Sequence, residues 1–283
     1  LRIIAVFNHK GGVGKTTTVA NLGAALARRG RRVLLVDADP QACLTVHFGL
    51  DPEGSEKTIY DVLCRDLPLS ATVRELEGGS LLGVPSHLDL AGAELELATA
   101  MGRERLLRDA LERYLRDEGK GLDYVIFDCP PSLGILTVNV LTACDEVFVP
   151  LQTEFLALRG VGKLVEVVTL VRRRLNPNLR ITGILPTLAR TGTLLAREVQ
   201  EEITRHFGSK VFKTKIRSNV KLAEAPSHGK SIFAYAPGSA GAEDYAALAA
   251  EVEAMDVPHR AIAPPEPAID VDAILARVEP PAS

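Results

Sequence analysis

Neither a membrane-crossing run nor a cysteine framework is present in this 283-residue chain. No apolar stretch approaches the roughly 18 residues that a bilayer span requires, and the first residues lead into a short apolar run without a secretory leader pattern. A cytoplasmic protein with no stable membrane insertion is therefore expected. The four cysteines, Cys43, Cys64, Cys129 and Cys144, show neither C-x-x-C spacing nor histidines placed to complete a zinc set. They read as reduced, partly buried thiols. An excess of one charge is lacking too: 33 Lys and Arg stand against 36 Asp and Glu. Any affinity for nucleic acid must then come from local charge distribution.

What is there is enough apolar residue, 46% of the chain, to bury one substantial core. No internal repeat is visible. Apolar, β-branched runs recur at 3–7, 33–36, 125–127, 147–149 and 181–185, each about the length of a buried strand. Helical periodicity lies between them at 16–29, 103–116, 161–174 and 194–206. This alternation predicts an α/β fold, a mostly parallel twisted sheet with helices on both faces. Ligands of such sheets sit at the carboxyl ends of the strands. After residue 255 six prolines interrupt the pattern, so the chain divides into a domain at 1–255 and a proline-rich tail at 256–283, with one short helical pattern near 269–278.

The strongest motif is Lys10-Gly11-Gly12-Val13-Gly14-Lys15-Thr16-Thr17, set after the first strand and before an apolar-periodic helix. Glycines let backbone N–H groups turn toward phosphate oxygens, and the helix N-terminus adds positive potential. Lys15 supplies a point charge to the phosphates, and Thr16 a hydroxyl to Mg²⁺. A regular P-loop would carry glycine at position 9, where this chain has His9, and Lys10 is extra. At the end of the second strand, Asp37 and Asp39 fall on one side if the strand reaches that far. Beside a triphosphate, one such carboxylate can orient or deprotonate an attacking water. A further apolar strand ends in Asp128, the Walker B type of group that holds Mg²⁺ through water or the threonine hydroxyl.

The K-G-G-x-G-K-[ST] form resembles the deviant Walker A motif of the ParA/MinD/NifH superfamily. Pro130-Pro131-Ser132-Leu133-Gly134 with Asn139, Pro150-Leu151-Gln152-Thr153-Glu154 and the segment from Leu222 to Lys230 look like the ParA/Soj branch specifically. The resemblance runs from Ile3 to about Val252. It implies a P-loop NTPase that hydrolyses ATP with Mg²⁺ and forms an ATP sandwich homodimer. It also implies nonspecific binding to double-stranded DNA, nucleoid association when ATP-bound, and a ParB-like stimulating partner. By the same resemblance Lys10 reaches across the dimer and Asp39 activates water. Lys15, Thr16 and Asp128 serve phosphate and Mg²⁺, and Asn219 lies near the base. Where Soj-like members read Pro-Arg-Asn-Val-Arg, this chain has Arg217-Ser218-Asn219-Val220-Lys221. The family's DNA-contacting arginine falls on Gly192, with Arg190 two residues earlier.

Residues 203–242 hold seven Lys or Arg against one acid, Glu224, a local excess that suits phosphate neutralisation without sequence reading. Arg190, Arg217 and Lys221 are the candidate DNA contacts. Three rivals are weaker. A MinD-like membrane-associated positioning ATPase needs a basic amphipathic C-terminal helix, whereas this tail is acidic and broken by proline. A metabolic P-loop enzyme needs a small-substrate pocket. A nucleotide-sensing regulator needs its own operator-binding element.

Overall fold

The computed structural model describes residues 1–55, 57–152, 157–189, 201 and 203–257. Seven strands form one sheet among them: β1 (Arg2–Val6), β2 (Val33–Asp37), β3 (Arg74–Glu75), β4 (Leu81–Val84), β5 (Tyr124–Asp128), β6 (Glu146–Gln152) and β7 (Arg180–Thr187). Their order is β3-β4-β2-β5-β1-β6-β7. Every pairing is parallel except that of β3 with β4. The expected five strands are all present. The two extra ones are short: Gly83 interrupts the apolar run of β4, and the two residues of β3 are held only by β4.

Alternation along each strand feeds two cores. Ile3, Ala5, Val36, Val125, Phe127 and Val147 face one side, covered by helices Leu106–Asp117 and Ile135–Ala143. Ile4, Val6, Leu35, Ile126 and Phe148 face the other, against helices Lys15–Arg28 and Ala240–Glu253. Burial on both faces explains why these strands read as continuous apolar runs rather than alternating ones. Asn139 fastens one of the covering helices: its side chain accepts from Leu107 N and donates to Arg103 O and Ile135 O.

The N-terminal ends of the strands are closed by a buried ion pair. Arg2 donates to both Glu146 oxygens at 2.7 and 2.6 Å and to the Val252 carbonyl. The opposite ends are polar. Asp37, Asp128, Gln152 and Thr187 are the last residues of β2, β5, β6 and β7, and the last three bond to the segment 12–16 that follows β1. The expected helix at 194–206 and the tail from 258 onward lie outside the described residues except for 201 and 203–206, which are helical.

Candidate functional site: a phosphate loop and its carboxylates

The loop between β1 and helix Lys15–Arg28 is tied down by side chains from β6 and β7. Asn8 donates to Pro150 O at 2.8 Å and accepts from Lys10 N at 3.0 Å. The Gly12 carbonyl accepts from Gln152 Nε2 at 3.1 Å, and the Val13 carbonyl from Thr187 Oγ1 at 2.9 Å. With those carbonyls held by the sheet, the loop's N–H groups are left to face the cradle. Gly12 and Gly14 take φ of 73° and 88°, the left-handed region that this turn demands. A Cβ placed on Gly11 or Gly12 would meet nothing within 4 Å, so this side of the loop faces open space.

The two lysines differ in environment. Lys15 is 7% exposed, and its Nζ donates to the Lys10 carbonyl at 3.3 Å. Lys10 is exposed at the rim, its Nζ 3.1 Å from Gln152 Oε1. Thr17 sits half-buried on the first turn, its carbonyl accepting from Asn21.

Thr16 Oγ1 donates to Asp128 Oδ2 at 2.6 Å. The other oxygen, Asp128 Oδ1, is buried with no partner. Burial, then the nearby charge of Asp37, push the Asp128 carboxyl well above the ordinary carboxylate range. An orphaned buried carboxylate oxygen beside a threonine hydroxyl is a donor set suited to a hard divalent cation, and Thr16 and Asp128 would hold Mg²⁺ there.

The two aspartates after β2 have separate surroundings. The strand ends at Asp37, so the two-residue period does not extend to Asp39. Asp37 Oδ2 accepts from Thr45 N and Oγ1, at 2.8 and 2.7 Å, and burial pushes its carboxyl up to about 6. Asp39 lies in the turn beyond, 8% exposed, with Gln41 N donating to Oδ1 at 3.0 Å. Its carboxyl is also raised by burial, against the opposing charge of Lys15. Asp39, Lys15 and Asp128 thus lie in one electrostatic neighbourhood.

Asn219 caps helix Val220–Glu224, accepting from Lys221 N at 2.8 Å. A bridge between Ala189 and Arg217 sets this segment beside the chain two residues beyond Thr187, at the loop end of the sheet. The candidate DNA contacts are less uniform than their sequence suggests. Arg217 is engaged by Asp244 at 2.7 Å and Glu243 at 3.0 Å, and Lys221 by Glu224 at 2.8 Å. Glu251 takes the backbone N–H groups of Lys213 and Thr214. The C-terminal helix therefore brings acids against the basic stretch that a count ending at residue 242 misses. Arg190 lies outside the described residues. Sequence reasoning did not single out Thr187, Thr45 or Ser86, isolated hydroxyls that no spacing rule marks.

A family model described as an AAA domain matches residues 1–181. The chain is 47% identical over 253 residues to the sporulation initiation inhibitor protein Soj of Bacillus subtilis (strain 168), covering 89% of this chain and 98% of that one. It is 45% identical over 252 residues to the chromosome partitioning protein ParA of Caulobacter vibrioides (strain NA1000 / CB15N), covering 89% and 94%. Among solved structures it is similar to one named cobyrinic acid a,c-diamide synthase from Mycobacterium smegmatis, bound to an ATP analog and magnesium. That match has a TM-score of 0.77 and 40% identity, covering 89% of this chain and 94% of that one.

Proposed function

Because the chain belongs to the ParA/Soj family of partition ATPases, and so hydrolyses ATP with Mg²⁺, we propose that it works as a nucleotide-controlled switch. Two copies close around ATP, bind double-stranded DNA without sequence preference, and release it after hydrolysis. A ParB-like partner speeds that step and gives DNA or another cargo its direction. The domain at 1–255 carries these steps, and 256–283 is an appended tail.

The observation that carries this reading is the pair of lysines in one loop. Lys15 is buried within its own loop, while Lys10 lies exposed at the rim. Lys15 serves the chain's own phosphates, and Lys10, bonded at the rim to Gln152, turns in the dimer to the nucleotide of a second copy, as the family resemblance implies. Bound Mg²⁺ would supply neutralising charge on the β and γ oxygens. The loop amides and Lys15 hold the phosphates, Thr16 and Asp128 hold the metal, and Asp39 orients the water. Asn219 sits toward the base, and Lys221, itself exposed and paired with its near neighbour Glu224, reaches DNA with Arg190. Arg217 is the weaker DNA candidate, since Asp244 and Glu243 already occupy its guanidinium.

A small-molecule ligase reading would need an acceptor pocket beside the γ-phosphate. A cavity of about 320 Å³ is lined by Ala24, Ala27, Arg28 and Phe233. It lies at the far end of helix Lys15–Arg28, about 18 Å from Lys15 at 1.5 Å per residue, and offers no such site.

Lys10→Ala tests the switch. The variant should bind Mg-ATP with the affinity of the parent, stay monomeric in sedimentation velocity, and lose most turnover. A stable ATP dimer with parental turnover would remove Lys10 from the interface and the reading with it.

A further inference from the structure

Asp39 stands beyond the last residue of β2, where no strand pairing holds it. What holds it is hydrogen bonding to two buried groups that a third ties together. Its N–H donates to Asp37 Oδ1 at 3.2 Å, and its carbonyl accepts from Ser86 Oγ at 2.8 Å. Asp37 is fixed in turn through its other oxygen by the Thr45 N–H and hydroxyl. Thr45 Oγ1 accepts from Ser86 N at 2.9 Å, which closes a ring running Asp39, Asp37, Thr45, Ser86 and back to Asp39. Asp37, Thr45 and Ser86 are 1%, 3% and 0% exposed.

Burying a carboxylate and two hydroxyls is unfavourable unless every polar atom is satisfied, and here they satisfy one another. The ring crosses from the turn after β2 to the turn after β4, two segments 41 residues apart at their closest bond. The turn it clamps is also strained. Ala42, whose N–H donates to the Asp39 carbonyl at 2.9 Å, has φ of 51°, a left-handed conformation uncommon for a residue with a side chain. Backbone strain persists where the surroundings over-determine it.

We propose that Asp37, Thr45 and Ser86 are positioning residues for hydrolysis: they fix the backbone of Asp39 so that its carboxylate meets the attacking water. Asp37 thereby serves the backbone, each of its oxygens accepting from donors of its own chain. The proposal rests on Asp39 being the residue that orients the water, and a misplacement of about 1 Å at such a group costs on the order of a hundredfold in rate.

The test uses the full chain and measures ATP turnover alongside fluorescent Mg-ATP titration. Thr45→Val and Ser86→Ala should each lower kcat about tenfold or more while the nucleotide Kd stays within about twofold. Thr45→Ser keeps the hydroxyl and should restore turnover. Thr45→Val added to Asp39→Ala should cost nothing further, since a clamp has no effect once the clamped group is gone. Ser86→Ala removes one oxygen only and keeps the test open if Thr45→Val does not fold. Parental turnover in both clamp variants, with Asp39→Ala inactive, overturns the clamp and leaves the role of Asp39 standing. Parental turnover in Asp39→Ala overturns both. Parallel loss of affinity and turnover would show that the ring only supports the fold.

Discussion

At the scale of single residues, the site stores unfavourable electrostatics that a bound cation would relieve. Asp128 has one oxygen bonded to Thr16 and the other buried without a partner, and burial raises its carboxyl well above the ordinary range. A carboxyl whose folded pKa is raised stabilises the fold fully below its unfolded value. That contribution is lost as pH rises through the folded value. The window starts near the ordinary 3.8 and runs up to the raised folded value of Asp128 itself. In EDTA, Asp128→Asn should therefore melt at a higher temperature than the parent at about pH 7.5, with the gain shrinking toward about pH 5. Asparagine still accepts from Thr16, so the loop contact survives. Scanning fluorimetry over that range decides it: an Asp128→Asn protein less stable than the parent at neutral pH would mean that burial of the charge is already compensated. Asp128 itself was legible in the sequence as the end of an apolar strand. The choice of Asp39 over Asp37 came from resemblance alone, and what holds Asp37 was not legible, because strand periodicity ends there and the hydroxyls that take it up come from chemically unmarked positions.

Elements with a buried apolar run were the legible part of the fold. β1, β2, β5, β6 and β7 need only their own residues to be recognised, whereas β3 exists because β4 is beside it and was invisible for that reason. The segment from Leu222 to Lys230, recognised by resemblance alone, acquires a physical role here: it supports the helix that carries Thr45. Gly229, with φ of 64°, brings its backbone onto Gly49, two residues beyond helix Cys43–His47, and a Cβ on Gly229 would sit 3.1 Å from the Gly49 Cα. His47 of that helix is buried, which lowers its pKa to about 4 and keeps it neutral at ordinary pH. Gly229→Ala should then cost about 1–2 kcal/mol for the left-handed backbone plus a further clash with Gly49, and it should lower turnover as well. Gly78 also has a left-handed φ, of 67°, but open space around it. Gly78→Ala is the matched control and should show the backbone cost alone, with parental turnover. Urea denaturation and ATP hydrolysis of the two variants separate the effects; equal losses would show that the Gly229–Gly49 approach carries no weight.

For the whole molecule, the proposed function raises the question of where a nearly neutral protein would keep enough positive charge to hold DNA. The chain carries 33 basic and 36 acidic side chains, so the field must be local. Along the sequence, residues 203–242 have a large basic excess, but folding sets Glu243, Asp244 and Glu251 of helix Ala240–Glu253 against them. A count ending at residue 242 stops just short of these acids, and it could not show that the helix turns them onto the basic stretch. Arg217 is largely consumed by them. Lys221 is less so: its side chain is 51% exposed, and its carboxylate partner is a half-buried neighbour three residues on that Tyr235 also holds. Exposed pairs of this kind are worth about 0–1 kcal/mol, less than a phosphate contact returns at low salt. Lys221→Glu should weaken binding of the ATP-bound protein to unrelated DNA sequences about equally and reduce the slope of log K against log salt by about 1 for each phosphate no longer neutralised. Glu243→Gln should act in the opposite sense, since it removes an acid from the same surface and loosens the hold on Arg217. Cosedimentation with DNA across a salt series, with size-exclusion chromatography confirming that each variant still dimerises, reads both. Parental affinity and slope in a dimerising Lys221→Glu protein would move the DNA surface away from this helix; weaker binding by Glu243→Gln would show that the Arg217 cluster shapes the surface instead of masking it.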